Sequence, residues 1–400
     1  MSKKAFTIAA ILGGFIASHA LYAGLHDRKR SREDADETTK IPIVFHKDYD
    51  FKNLPQEVED ANLFVRKKYS RIVENLVASG LVDRASLAKP SYSKISDFKS
   101  VQNRGYLARV EGDPEFVFGI FDLDDSLKNN DYQAFLEKGA HGNADRLRNA
   151  QLLGSGGTLM ASKLAQNHPE KWAINLSGGY HHAKKNTAAG YCLFADGALA
   201  LQRYLRTHPT ERALIIDLDA HHGDGNASIF EGNPKVGIFD IYNQDVFPLR
   251  KEKGQPKPVS PQSDEEKLRF YFPTPKGTGD DEYLTLLKDN LDRAIDKVKP
   301  GIIFYNAGTD IYEDDPIGEL NISLAGIIER DEFVFRKARE RKIPIFMALS
   351  GGYADNFPEI VSDSIINLIK KGIILQAPEQ SPQDSTLPQE PKIKRPKTAR

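Results

Sequence analysis

The chain has almost no cysteine: Cys192 is the one thiol in 400 residues. An intrachain disulfide is excluded, and so is a metal site built on paired thiolates. An excess of one charge is also missing. With 55 Lys and Arg against 56 Asp and Glu, the net charge of -1 creates no global basic field, which argues against wholesale nucleic-acid binding. A phosphate loop is absent too. The run GSGGT (154–158) is not followed by Gly-Lys-Ser/Thr, so it reads as tight packing at a helix start.

Long apolar runs are scarce. One uncharged stretch, Ala5 to Leu25, would span about 31 Å as a helix, the thickness of a hydrocarbon core. Residues 1–30 therefore read as a membrane anchor flanked by Arg28, Lys29, Arg30 and Arg32. The alternatives are an export signal cleaved near Ser18-His19-Ala20, or a targeting peptide that only resembles an anchor. Residues 31–40, SREDADETTK, form a polar linker. From Gln376 onward the chain is rich in Pro, Gln and Ser, and this composition predicts a disordered tail. Its basic cluster, Lys392, Lys394, Arg395 and Lys397, reads as a solvated tail or as a nuclear-import signal. Location thus stays open between membrane, nucleus and export, with the anchor favoured.

Between the ends, residues 41–375 alternate short apolar runs with longer amphipathic ones. IPIVF (41–45), WAINL (172–176), ALIIDL (213–218), KVGIFD (235–240), GIIFYN (301–306) and IPIFMAL (343–349) are nearly continuous in apolar character. That pattern predicts parallel strands covered on both faces. Helical patterns occupy 57–79, 145–167, 193–206, 281–298, 327–341 and 355–371. The alternation predicts an α/β fold with a doubly wound parallel sheet and helices on both faces. The polar, Pro-rich segment 250–267 reads as an exposed loop.

In such sheets, functional groups gather beyond the carboxyl ends of the strands. Here those ends carry SGGYHH after WAINL, AHHGDG after ALIIDL, AGTD after GIIFYN and SGGY after IPIFMAL. Asp219, His221 and Asp310 offer one imidazole and two carboxylates. Three ligands leave a coordination position open, which marks a catalytic site, and zinc or another borderline divalent ion suits the set. His181 and His182 suit proton transfer, and Asp217 and Asp224 are spare carboxylates able to orient them. Tyr353 follows Gly351-Gly352, where its phenol could donate to an oxyanion.

Together SGGYHHAKKNTAAGYC, DLDAHHGDG, NAGTD and SGGY resemble the zinc-dependent histone deacetylases over about residues 41–375. NAGTDIYEDDPIGEL, Ile241-Tyr242-Asn243 and WAINLSGGYHH are most similar to the class IV branch. The resemblance implies an arginase/deacetylase fold and hydrolysis of acylated lysine, acetyl or long-chain fatty acyl, in a protein or peptide such as a histone. It implies Zn2+ on Asp219, His221 and Asp310, with His182 as general base and acid beside His181. It implies Tyr353 at the transition state, with Gly190 and Tyr191 lining the acyl channel, where the family more often has phenylalanine. A structural K+ is implied on Asp217, Asp219 and Asp240, with backbone oxygens of His221 and Ile241. The turn SGGY replaces three glycines, and the region around HKDYDFKNLPQEVEDANLF matches poorly, so substrate choice is the least constrained reading.

Three rivals remain at this point. A two-metal ureohydrolase would need a further aspartate near Asp310, yet position 308 is Gly and 312 is Tyr. A deacetylase of polyamines or other small amines would use the same centre. A catalytically silent binding module is disfavoured because every expected position is filled.

Overall fold

The computed structural model describes residues 41–375, apart from 52–53, 63, 65–67, 124–131, 134–135, 138, 253–254, 259–262 and 265. The segments read above as anchor, linker and basic tail lie outside the described residues. The membrane assignment is corrected: among the described residues, no helix is long and apolar enough to cross a membrane. The stretch 5–25, on which the assignment rested, lies outside the described residues, and the assignment is dropped.

Eight parallel strands form one sheet. They are β1 (Ile41–Val44), β2 (Leu87–Ala88), β3 (Trp172–Asn175), β4 (Ala213–Asp217), β5 (Val236–Asn243), β8 (Arg269–Thr274), β9 (Ile302–Asn306) and β10 (Ile345–Ala348). Their spatial order is β2-β1-β3-β10-β9-β4-β5-β8. The two last strands of the chain therefore insert between β3 and β4. Every residue of β3, β4, β9 and β10 is buried, which explains why their sequences show no polar alternation. Each fully buried Ile, Leu or Phe there contributes about 1.5–3 kcal/mol. The sheet is the doubly wound parallel one expected, with helices covering both faces.

Several helices connect and cover these strands: α1 (Tyr69–Ala78), α2 (Ala140–Asn167), α3 (Asp196–Thr207), α4 (Asp280–Val298), α5 (Leu324–Glu340) and α6 (Phe357–Lys370). The helix α2 packs on β1, β3 and β10, while α4 packs on β4, β5 and β8. Ser323 caps α5, its side chain accepting the Gly326 N–H at 3.0 Å, a contact worth about 1 kcal/mol.

Two local expectations change. GSGGT does not begin a helix; it lies in the middle of α2. A Cβ on Gly154 would stand 2.2 Å from the Tyr180 hydroxyl, and one on Gly157 would stand 2.0 Å from that of Tyr49. Small residues let the helix approach the strand ends, so packing rather than capping explains them. The segment 250–267 is not wholly loop: β6 (Leu249–Glu252) and β7 (Gln255–Pro258) pair as an antiparallel hairpin outside the main sheet.

Candidate active site

The carboxyl ends of β3, β4, β9 and β10 bring four loops together. After β3 the chain turns through Gly178 and Gly179, at φ of 76° and 87°. A side chain at Gly179 would meet the Ser350 backbone at 2.8 Å, so glycine lets this turn lie against the loop after β10. The turn delivers His181 and His182, buried, with ring centroids 4.0 Å apart.

Each imidazole meets its own carboxylate. His181 Nδ1 lies 3.0 Å from Asp217 Oδ2, and His182 Nδ1 lies 2.9 Å from Asp224 Oδ1. Asp217 also accepts from Asn306 Nδ2 at 3.0 Å, and Asp224 pairs with Lys184 Nζ at 2.6 Å. Burial disfavours charge on both rings. Around His181 the carboxylates of Asp217 and Asp219 outweigh it and push the imidazole up to about 10. Around His182 burial prevails, the adjacent His181 adds to it, and the ring falls to about 4. The two rings are thus pushed in opposite directions.

Asp219, His221 and Asp310 place one ligand atom each within 4.8 Å of one another, all buried. His221 Nδ1 lies 3.1 Å from Asp219 Oδ1 and 2.9 Å from Asp310 Oδ2. The outward oxygens are held by backbone: Asp219 Oδ2 accepts from Gly351 N at 2.8 Å, and Asp310 Oδ1 from Ala220 N at 2.8 Å. Burial and the facing Asp219 carboxylate push Asp310 up to about 7. Two buried carboxylates converging on one imidazole nitrogen fit a divalent cation, which would remove their mutual repulsion. Among the described residues this is the one such cluster, and Gly308 and Tyr312 add no ligand to it.

A cavity of about 310 Å³ opens onto this cluster, lined by His182, Gly190, Tyr191, His221, Phe247 and Tyr353 among others. Gly190, at φ of 54°, is needed because a Cβ would stand 2.5 Å from His182 Cδ2. Tyr191 stacks on Phe64 with centroids 5.4 Å apart. The Tyr353 phenol is held protonated by burial and by the nearby Asp310 and Asp219 carboxylates, so it is a hydrogen-bond donor. A wider cavity of about 600 Å³, by Tyr204, His208 and Arg212, carries no comparable cluster of ligands.

Asp240 and Ile241 fall within β5. Asp240 Oδ2 takes His222 Nδ1 at 2.8 Å and Gly223 N at 3.1 Å, while its buried Oδ1 has no hydrogen-bond partner. The second histidine of the AHHGDG stretch thus turns away from the cavity toward Asp240. Sequence reasoning passed over several residues that shape the site. Asn306 and Asp315 lay inside quoted motifs, but nothing marked their side chains. Phe247 packs edge-on against His182 at 4.8 Å. Buried Lys68 donates to the Gly352 carbonyl at 2.7 Å and sits 5.2 Å from the Tyr353 ring centroid. Its helix-start segment offered no signal.

A model of the histone deacetylase domain matches residues 62–369. Histone deacetylase 2 of Arabidopsis thaliana is 32% identical over 350 residues, covering 85% of this chain and 82% of the relative. Type-1 histone deacetylase 1 of Dictyostelium discoideum is 30% identical over 213 residues, a match spanning 40% of that protein. Among solved structures, acetylpolyamine aminohydrolase from Burkholderia pseudomallei superposes with a TM-score of 0.59 at 20% identity, covering 82% of this chain and 98% of that one. An HDAC homologue complexed with SAHA gives 0.60 at 21%, covering 83% and 84%. At these identities the two structures speak for the fold alone. The fold is that of the arginase/deacetylase class. The chain belongs to the histone deacetylase family.

Proposed function

We propose that residues 41–375 form a zinc-dependent deacylase that hydrolyses the amide bond of acylated lysine in proteins. The observation that carries this reading is that the cavity is lined by His182, His221 and Tyr353 together. A general base, a metal ligand and a phenolic donor thereby face one acyl-sized space. The histone deacetylase family is zinc-dependent, and Asp219, His221 and Asp310 would hold the ion, which supplies Lewis-acid polarisation of the scissile carbonyl and of a water.

The chain's own residues do the rest. Neutral His182, oriented by Asp224, takes the proton from the attacking water through Nε2 and later delivers it to the departing lysine amine. His181, held by Asp217, stands beside His182 as the other half of the tandem pair. Tyr353 donates its hydroxyl proton to that oxyanion as a hydrogen bond. Gly190 and Tyr191 confine the acyl-lysine stem. A structural K+ on Asp217, Asp219, Asp240 and the carbonyls of His221 and Ile241 belongs to this reading; the orphaned Asp240 Oδ1 supports it.

Within the family we place the chain on the class IV branch, on the motif NAGTDIYEDDPIGEL, Ile241-Tyr242-Asn243 and WAINLSGGYHH. That placement favours a long-chain fatty acyl-lysine. Turnover of matched acetyl-lysine and myristoyl-lysine peptides, beside an acetylated polyamine, tests the proposal. Zinc-dependent cleavage favouring the myristoyl peptide is expected; cleavage of the polyamine alone would overturn the protein-substrate reading. His182→Ala and Tyr353→Phe are expected to keep the metal and lose most activity, and near-wild-type rates in both would dismiss these roles.

A further inference from the structure

Arg330, on α5, is fully buried, an expensive place for a guanidinium. It is paired: Nε donates to Asp331 Oδ1 at 2.9 Å, while Nη2 lies 2.9 Å from the same oxygen without making a hydrogen bond to it. Asp331 is itself held by the Tyr305 hydroxyl, from β9, and by Ser364 Oγ, from α6, at 2.5 Å. The guanidinium is thus locked in orientation by three elements.

The remaining nitrogen reaches forward. Arg330 Nη1 donates to the Leu218 carbonyl at 3.1 Å and to the Gly308 carbonyl at 2.5 Å. Leu218 directly precedes Asp219, and Gly308 lies two residues before Asp310. One nitrogen therefore ties the end of β4 to the end of β9 at the point where each delivers a carboxylate. The approach is close: a Cβ on Gly308 would stand 2.3 Å from Asp219 Oδ2. Tyr283, from α4, points its hydroxyl at the same Leu218 carbonyl at 3.3 Å.

We propose that Arg330 is a positioning residue for the metal centre, setting the separation of the Asp219 and Asp310 carboxylates through the Leu218 and Gly308 carbonyls. Lysine could keep the charge, but its single ammonium lacks the planar fork that holds Asp331 and both carbonyls at once. Outer contacts of this kind change metal affinity by about 10–100-fold when removed. The inference rests on the metal-binding reading above.

The test uses the full chain, wild type, Arg330→Lys and Asp331→Asn, loaded with Co2+ or Zn2+. Zinc affinity is measured by competition with a chromophoric chelator, and the cobalt d–d spectrum reports ligand geometry. Arg330→Lys is expected to bind zinc at least about tenfold more weakly and to alter the cobalt spectrum. Its kcat should fall while KM for acyl-lysine peptide stays near wild type, because the cavity lining is untouched. Asp331→Asn, which retains the guanidinium but loosens it, should show a smaller change in the same direction. A folded Arg330→Lys with wild-type zinc affinity and spectrum overturns the proposal. Should Arg330→Lys fail to fold, wild-type affinity and spectrum in Asp331→Asn overturn it equally. Loss of thermal stability alone, with affinity unchanged, would assign Arg330 to the core. Failure of the wild-type chain to bind either metal would instead sink the metal-centre reading itself.

Discussion

Asp315 accepts the backbone N–H of Tyr353 at 2.7 Å through Oδ2, while its Oδ1 accepts from Ile317 and Gly318 at 3.1 Å each. One buried carboxylate thereby binds the loop after β9, which carries Asp310, to the loop after β10, which carries the phenol. We predict that Asp315→Asn, whose amide cannot accept from both sides, lowers kcat by about tenfold, roughly 1.4 kcal/mol of transition-state stabilisation. Asp315→Ala should do more, since each stranded buried N–H costs about 1–3 kcal/mol. Steady-state rates together with metal content check this. A wild-type rate in the Asn variant would show that the bond does not place the phenol.

Gly190 is a second point of strain. Its φ of 54° and the His182 ring beside it leave no room for a methyl group. Gly190→Ala should displace His182 from Asp224 and reduce kcat/KM strongly, with about 1–3 kcal/mol of backbone cost. Thermal melting and kinetics on the same sample decide it. Activity unchanged within a factor of about two would mean that the loop accommodates the methyl without disturbing the base.

Phe247 is a large side chain left partly exposed, at 40%, while its ring packs edge-on against His182. It lines the cavity but is not placed to move a proton. Phe247→Ala should therefore raise KM for an acyl-lysine peptide by several-fold while kcat changes little, as expected for lost uniform binding. A drop in kcat with KM unchanged would show instead that the ring orients the imidazole.

Removing the metal should destabilise the chain. A ligand at about a hundredfold excess over its Kd contributes about 2.7 kcal/mol. At about 2 °C per kcal/mol for a domain of this size, a chelator should lower the melting temperature by roughly 5 °C. Added zinc should restore it, and the Asp310→Asn variant should show neither effect. An identical melt with and without chelator would show that the cluster binds no ion in the folded chain.

Much of the fold was legible because buried parallel strands are continuous in apolar character. The six predicted strands correspond to β1, β3, β4, β5, β9 and β10 to within a few residues. Two sheet strands escaped notice, for a shared reason: both lie at sheet edges. β2 has two residues, and β8, RFYFPT, carries an exposed Pro273 that an edge tolerates but a central strand would not. The hairpin β6–β7 is polar because its strands pair only with each other. The apolar N-terminal stretch read as a membrane helix lies outside the described residues, and among the described residues no helix is long and apolar enough to cross a membrane.

The sequence by itself determined which chemical groups stand at the strand ends. Local periodicity marks where each strand stops, and the next few residues must then lie beyond the sheet. What it could not determine is which group meets which. His181 reaches Asp217 and His182 reaches Asp224 although β9 and β10 lie between β3 and β4, a strand order that no local pattern encodes. The clamps on the backbone followed the same rule. Arg330, Asp315 and Lys68 look like ordinary charged residues in the sequence. They became part of the site only when packing buried them, since a buried charge must find partners and the carbonyls and N–H groups of the converging loops were within reach.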